Sequence, residues 1–220
     1  MITSPSIPGD YSPREEFLHA ATHGIGAAFS IFALIILALK AESAGMLAVT
    51  AVVIYAVSML LMFGFSTLYH SMPGSPLQPM LKMLDHSAIY FKIAGTYTPF
   101  ALITLPTITG MWVMIGIWGA AFFGTFFKVT AFIRKTGKKF SPLSLGVYLA
   151  MGWASVFMIG ELIDHLKEGG ITWVIAGGLC YTVGAIFYAL KKFPYTHTIW
   201  HLFVMAGAGC HFICIYYFVI

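Results

Sequence analysis

Residues 46–70 read MLAVTAVVIYAVSMLLMFGFSTLYH, a run with no Asp, Glu, Lys or Arg from Met46 to Tyr69 that ends on His70. Crossing the hydrocarbon layer takes about 20 consecutive apolar residues as helix, so this stretch reads as a transmembrane span. Working outward from it, comparable runs occur at about Phe17–Leu39, Ser87–Leu105, Met111–Val129, Pro142–Ile163, Ile171–Leu190 and Thr196–Ile220. Charged residues make up 9% of the chain and hydrophobic ones 59%, against roughly 25% charged in soluble domains. There is too little polar sequence to cover a soluble fold. The expectation is an all-α membrane protein, a seven-transmembrane helix bundle at residues 17–220 behind a polar segment at 1–16.

The connections support this division. Lys40-Ala41-Glu42 closes the first span, and Pro73, Gly74, Pro76 and Pro79 break the chain after the second. Pro99 predicts a kink or local opening in the third span, which membrane helices tolerate. Lys92, in the same span, is expected to snorkel to the nearer interface. Pro106 and Gly110 predict a tight turn before the fourth span, and Gly116, Gly119 and Ala120 are small residues suited to helix packing. Met1–Pro13 lacks a basic region leading into an apolar one, so no cleavable signal peptide is expected. Cys180, Cys210 and Cys214 sit in apolar runs without CxxC spacing and read as small hydrophobes.

Orientation follows from the basic residues. With the amino terminus inside, Arg14, Lys82, Lys128, Arg134, Lys135, Lys138, Lys139, Lys191 and Lys192 all face the cytoplasm, nine of the twelve Lys and Arg. Lys40 and Lys167 then face outward. A cytoplasmic N-terminus and an outside C-terminus are therefore expected. The net charge of +4 comes from loop lysines, and no nucleic-acid partner is implied.

In this topology Ser66 and His70 end the second span on the inside, Asp85 and His86 begin the third there, and His197 and His201 begin the seventh. Ionisable side chains at membrane depth are costly unless they face the bundle interior and find partners. His197 and His201, four apart, share one helical face, and with His70 they supply the three imidazoles of a zinc site. Asp85 reads as a partner of the metal-bound water or of a ligand, or else as a helix N-cap. Ser66 lies one turn before His70; its other reading is a hydroxyl bonded back to its own helix. His19 and His23 form a second pair at four-residue spacing, a rival metal pair on geometry alone, and are ranked as hydrogen-bonding support for the site. His211, ten residues beyond His201, lies about 15 Å along a helix, and His165 reads as solvated.

Ser66-Thr67-Leu68-Tyr69-His70, Leu84-Asp85-His86-Ser87-Ala88-Ile89-Tyr90, Ile93-Ala94-Gly95-Thr96-Tyr97-Thr98-Pro99 and His197-Thr198-Ile199-Trp200-His201 resemble the hemolysin III family. That family groups with the progestin and adiponectin receptors and more distantly with the alkaline ceramidases. The resemblance runs from Glu16 to the end. It implies a seven-helix bundle in a bacterial inner membrane with zinc near the cytoplasmic face. It places the zinc histidines on His70, His197 and His201, the aspartate on Asp85 and the serine on Ser66. His19 stands where relatives carry Asn.

Together these residues predict a zinc-dependent hydrolase of lipid amides or esters, its membrane lipid substrate entering sideways from the bilayer. Asp85 would move the proton and Ser66 would steady the oxyanion. A zinc-clamped sensor or homeostasis protein is the alternative. A pore-forming cytolysin needs a polar stripe through the whole bilayer, and here the polar residues stop near the inner face.

Overall fold

The computed structural model describes residues 11–135, 141–190 and 193–220. All elements among them are helical: α1 Pro13–Ala41, α2 Met46–Ser71, α3 Gln78–Pro99, α4 Thr107–Ile133, α5 Ser141–Trp153, α6 Ile159–His165, α7 Gly170–Ala189 and α8 Thr196–Cys214. Six stretches are long and apolar enough to cross a membrane. The more polar α3 is the seventh rod and carries Asp85, Lys92 and Thr96 on its length. Lys138, Lys139, Lys191 and Lys192 lie outside the described residues.

The bundle is dressed for lipid. Phe17, Ile31, Phe32, Ile35 and Leu39 of α1 are exposed, whereas Glu16, His19, His23 and Ser30 of the same helix are buried. In water this arrangement would waste the hydrophobic effect; in hydrocarbon it satisfies the polar groups internally. The buried positions of α1 follow helical spacing through Gly26, Ala33, Leu37 and Ala41, so one stripe faces inward from end to end.

α1 starts where its sequence dictates. Ser12 caps it: the Glu15 N–H donates to Ser12 Oγ at 3.3 Å, and the Ser12 N–H donates to Glu15 Oε2 at 3.0 Å. Pro13 follows, needing no amide partner. Both α1 and α3 pack against α2, and α8 packs against α7 and α1. Contact between α2 and α3 is closest at Gly95, where an added Cβ would run into the Ser58 side chain and come within 3.3 Å of the Ile54 carbonyl.

Pro99 opens its helix as expected, and other connections differ from expectation. Pro99 ends the α geometry of α3, and a π-helical turn follows at Phe100–Thr104. Gly110 makes no turn; it lies in the first turns of α4, pressed against the Ala101 carbonyl. The fifth span is broken, with 3₁₀ geometry at Ala154–Met158 between α5 and α6. Tyr97 repairs the break, since its hydroxyl donates to the Met151 carbonyl at 2.8 Å and accepts from the Ser155 N–H at 2.8 Å. Gly116 and Gly119 face open space rather than a neighbouring helix.

Lys92 does not snorkel. It is 3% exposed, its Nζ donates to Thr96 Oγ1 at 2.6 Å, and it lies 4.6 Å from the Tyr55 ring centroid. The ring face and the hydroxyl give the amine partners inside the bundle.

Gly95→Ala is expected to lower stability by about 1–3 kcal/mol, the usual cost of overpacking a tight contact. Gly116→Ala, with nothing within 4 Å of the added carbon, is expected to leave it unchanged. Thermal unfolding of both variants in detergent checks the contrast.

Candidate metal centre

Three helices bring five imidazoles together at the end of the bundle where α1 and α8 begin and α2 finishes. His19 and His23 come from α1, His70 from α2, and His197 and His201 from α8. The rings are close. His19 lies 4.7 Å from His70, 4.7 Å from His197 and 5.2 Å from His201 between ring centroids, and His23 stacks on His201 at 3.5 Å.

The far side of two rings fixes which nitrogen faces the centre. His70 Nδ1 is 2.6 Å from Glu16 Oε2. The carboxylate only accepts, so Nδ1 carries the proton and Nε2 keeps its lone pair. His201 Nδ1 is 3.2 Å from both the His19 carbonyl and Thr22 Oγ1; the Thr22 hydroxyl donates to the Leu18 carbonyl at 2.8 Å, which leaves Nδ1 to donate and Nε2 with the lone pair. That nitrogen faces His197 Nε2 at 3.1 Å. Two nitrogens on one tetrahedral ion with bonds near 2.0–2.1 Å are about 3.3 Å apart. A carboxylate or backbone carbonyl behind each ring is how proteins orient metal-binding histidines.

Among the described residues, the group whose ligand atoms all lie within 4.8 Å of one another is His19, His70 and His197. His70 and His197 were expected there. His201, also expected, is outside that group and approaches it through His197 Nε2 at 3.1 Å, and His19 stands in the group in its stead. His19 Nδ1 and Nε2, His23 Nε2 and His70 Nε2 are buried without a hydrogen-bond partner. An orphaned buried polar atom costs about 1–3 kcal/mol, and the donor set suits an ion that favours neutral imidazoles.

The remaining expected residues line a cleft of about 1010 Å³ beside the imidazoles, with Ser66, Asp85, His197 and His201 among its walls. Ser66 does not bond back to its helix; its Oγ lies 2.7 Å from His23 Nδ1. Asp85 is well inside α3, which begins at Gln78, so it is not an N-cap, and its carboxylate interacts with Ser66. His23 thus supports the site through its ring, and His19 supports it through its backbone carbonyl while its ring lies among the other imidazoles. His86 Nδ1 turns away to the Lys82 carbonyl at 2.6 Å. His211 packs against Gly177, and His165 is exposed.

Three further residues build the site. Glu16 orients His70, and its neighbour Glu15 accepts the Tyr195 N–H through Oε1 at 2.9 Å, tying the start of α8 to the start of α1. Tyr11 lays its ring edge-on to His19 at 4.6 Å and flat on His197 at 5.0 Å, closing the centre from outside; burial pushes its phenol above its ordinary pKa. The sequence signal was the spacing of Glu16, His19 and His23, which puts all three on one face of α1.

With this geometry in view, comparison with known proteins is decisive. The "Haemolysin-III related" family model matches residues 11–212. The chain belongs to the haemolysin III family. It is 44% identical to "Hemolysin-3" of Bacillus cereus over 208 residues, covering 94% of this chain and 93% of that protein. It is 40% identical to the "Hemolysin-3 homolog" of Bacillus subtilis (strain 168) over 209 residues, 94% of this chain and 96% of that one. A more distant likeness, 29% over 171 residues, reaches the human "Monocyte to macrophage differentiation factor", covering 74% of this chain and 68% of that protein.

Removing the group behind His70 tests the orientation argument. Glu16→Ala is expected to weaken metal affinity about 10–100-fold, the usual effect of losing such a partner, measured by competition with a chromophoric chelator.

Proposed function

We propose that this haemolysin III protein is a zinc-dependent hydrolase of lipid amides or esters, with His70, His197 and His201 among the zinc ligands and the site at the cytoplasmic face of a bacterial inner membrane. The observation that carries the reading is the pair of imidazole nitrogens, His197 Nε2 and His201 Nε2, set 3.1 Å apart on the wall of a cleft that also holds Asp85 and Ser66. Zinc bound there supplies a water of pKa about 7 and polarises a carbonyl.

The chain's own residues do the rest. Asp85 accepts the proton from the attacking water and returns it to the leaving amine or alcohol. Ser66, held by His23, directs its hydroxyl toward the developing oxyanion. Tyr11 limits access from the polar side. The cleft shares Met62, Ile89, Trp200 and Val204 with an apolar cavity between α3, α5 and α7, and that continuity favours a substrate with a hydrocarbon chain reaching in from the bilayer.

A second reading is a zinc clamp joining α2 to α8 in a sensor or homeostasis protein. The crowd of imidazoles around His19 favours it, because structural zinc sites are filled by protein donors. The two readings part at Asp85.

Metal analysis of purified protein is expected to find one zinc in the wild type and markedly less in His70→Ala, His197→Ala and His201→Ala. Against a panel of labelled lipid amides and esters, Asp85→Ala should keep its zinc and lose turnover by at least about 100-fold. Zinc-replete wild type with no chelator-sensitive turnover on any of these lipids would rule out the hydrolase.

A further inference from the structure

We propose that His19 is itself a metal ligand, so that the ion in this chain is held by four imidazoles, from His19, His70, His197 and His201. The inference rests on the metal-centre reading above and adds to it a donor from α1.

His19 is fully buried, and among the described residues neither ring nitrogen has a hydrogen-bond partner. A neutral imidazole offers one N–H and one lone pair, and leaving both unanswered in a dry bundle is costly. The Glu16 carboxylate does not answer them by hydrogen bonding. Glu16 Oε2 is 3.9 Å from His19 Nδ1, beyond hydrogen-bond reach, and it already accepts from His70 at 2.6 Å.

What surrounds His19 is other ligand atoms. Its donor nitrogen lies within 4.8 Å of those of His70 and His197, and its ring is 5.2 Å from that of His201. Tyr11 covers the remaining side with carbon, 4.6 Å away between ring centroids. An ion among these rings would answer His19 and His70 Nε2 at once. The partner would be a divalent cation that takes nitrogen donors in a tetrahedron, and zinc fits.

One asymmetry follows. Glu16 holds the far nitrogen of His70, and the His19 carbonyl holds that of His201. Among the described residues no group holds the far nitrogen of His19, so of these three it is the donor least tied to its position, and its departure would open the place for water that the proposed hydrolysis needs.

Full-length protein in detergent tests this with two variants. His19→Phe keeps a ring in the space and removes both nitrogens; His19→Cys keeps a donor and changes its colour. X-ray absorption of the zinc-loaded wild type is expected to show four imidazole nitrogens. His19→Phe should show three with one oxygen, and release zinc to a chelator at least about tenfold faster. Cobalt-loaded His19→Cys should gain a near-ultraviolet thiolate-to-cobalt band.

His19 is excluded if the wild type shows three imidazoles and His19→Phe changes neither shell nor release rate. Cobalt binding to His19→Cys without the thiolate band excludes it too, even if the Phe variant fails to fold. Both outcomes leave the metal centre standing. Wild type that binds no metal removes that reading, and this inference with it.

Discussion

An imidazole buried in a bundle that faces hydrocarbon must have both ring nitrogens answered, and the placement of α1 follows from that demand. Glu16 answers His70 from behind, and the backbone carbonyl of His19 answers His201. Each bond crosses from α1 to another helix, so the polar stripe of α1 sets the position of α2 and α8 around the centre. Glu15 adds a third tie by accepting the Tyr195 N–H. Two adjacent carboxylates in one helical turn therefore serve different neighbours. One orients a candidate ligand, and the other anchors the start of the helix that carries two more.

The two ends of the bundle are built differently. At the polar end His70, His197 and His201 all sit in regular α-helix, where rigid backbone holds side chains in place. Irregular backbone lies deeper or at the other end: π turns at Phe100–Thr104 and Ile215–Val219, which touch each other, and the 3₁₀ stretch at Ala154–Met158. Backbone that leaves α geometry in a membrane needs side-chain partners, and Tyr97 supplies them at the break in the fifth span. The apolar cavity lies between these zones, beside Tyr97 and Lys92.

Much of this was legible in the sequence because its signals are local. Charge-free runs the length of a bilayer name the helices. Four-residue spacing puts His197 and His201 on one face, and the alternation of ends brings Ser66, His70 and Asp85 to the same level. The burial of Lys92 and the break inside the fifth span, itself placed as expected, went unread for a common reason. Snorkelling and helix continuity are defaults for an isolated helix, and here the Tyr55 ring, the Thr96 hydroxyl and the Tyr97 hydroxyl override them. Spacing left His19 between hydrogen-bonding support and ligation, because spacing along one helix does not reveal what another helix presents to it.

The sequence by itself determined a haemolysin III bundle of membrane helices and the level at which its polar residues gather. Hydrophobic length and helical period act over a few turns and need no partner. Only the tertiary structure decided which nitrogen His70 and His201 turn inward, that Glu16 stands behind His70, and that His19 lies close to His70 and His197. Those choices depend on distances between helices that approach one another only in the folded bundle.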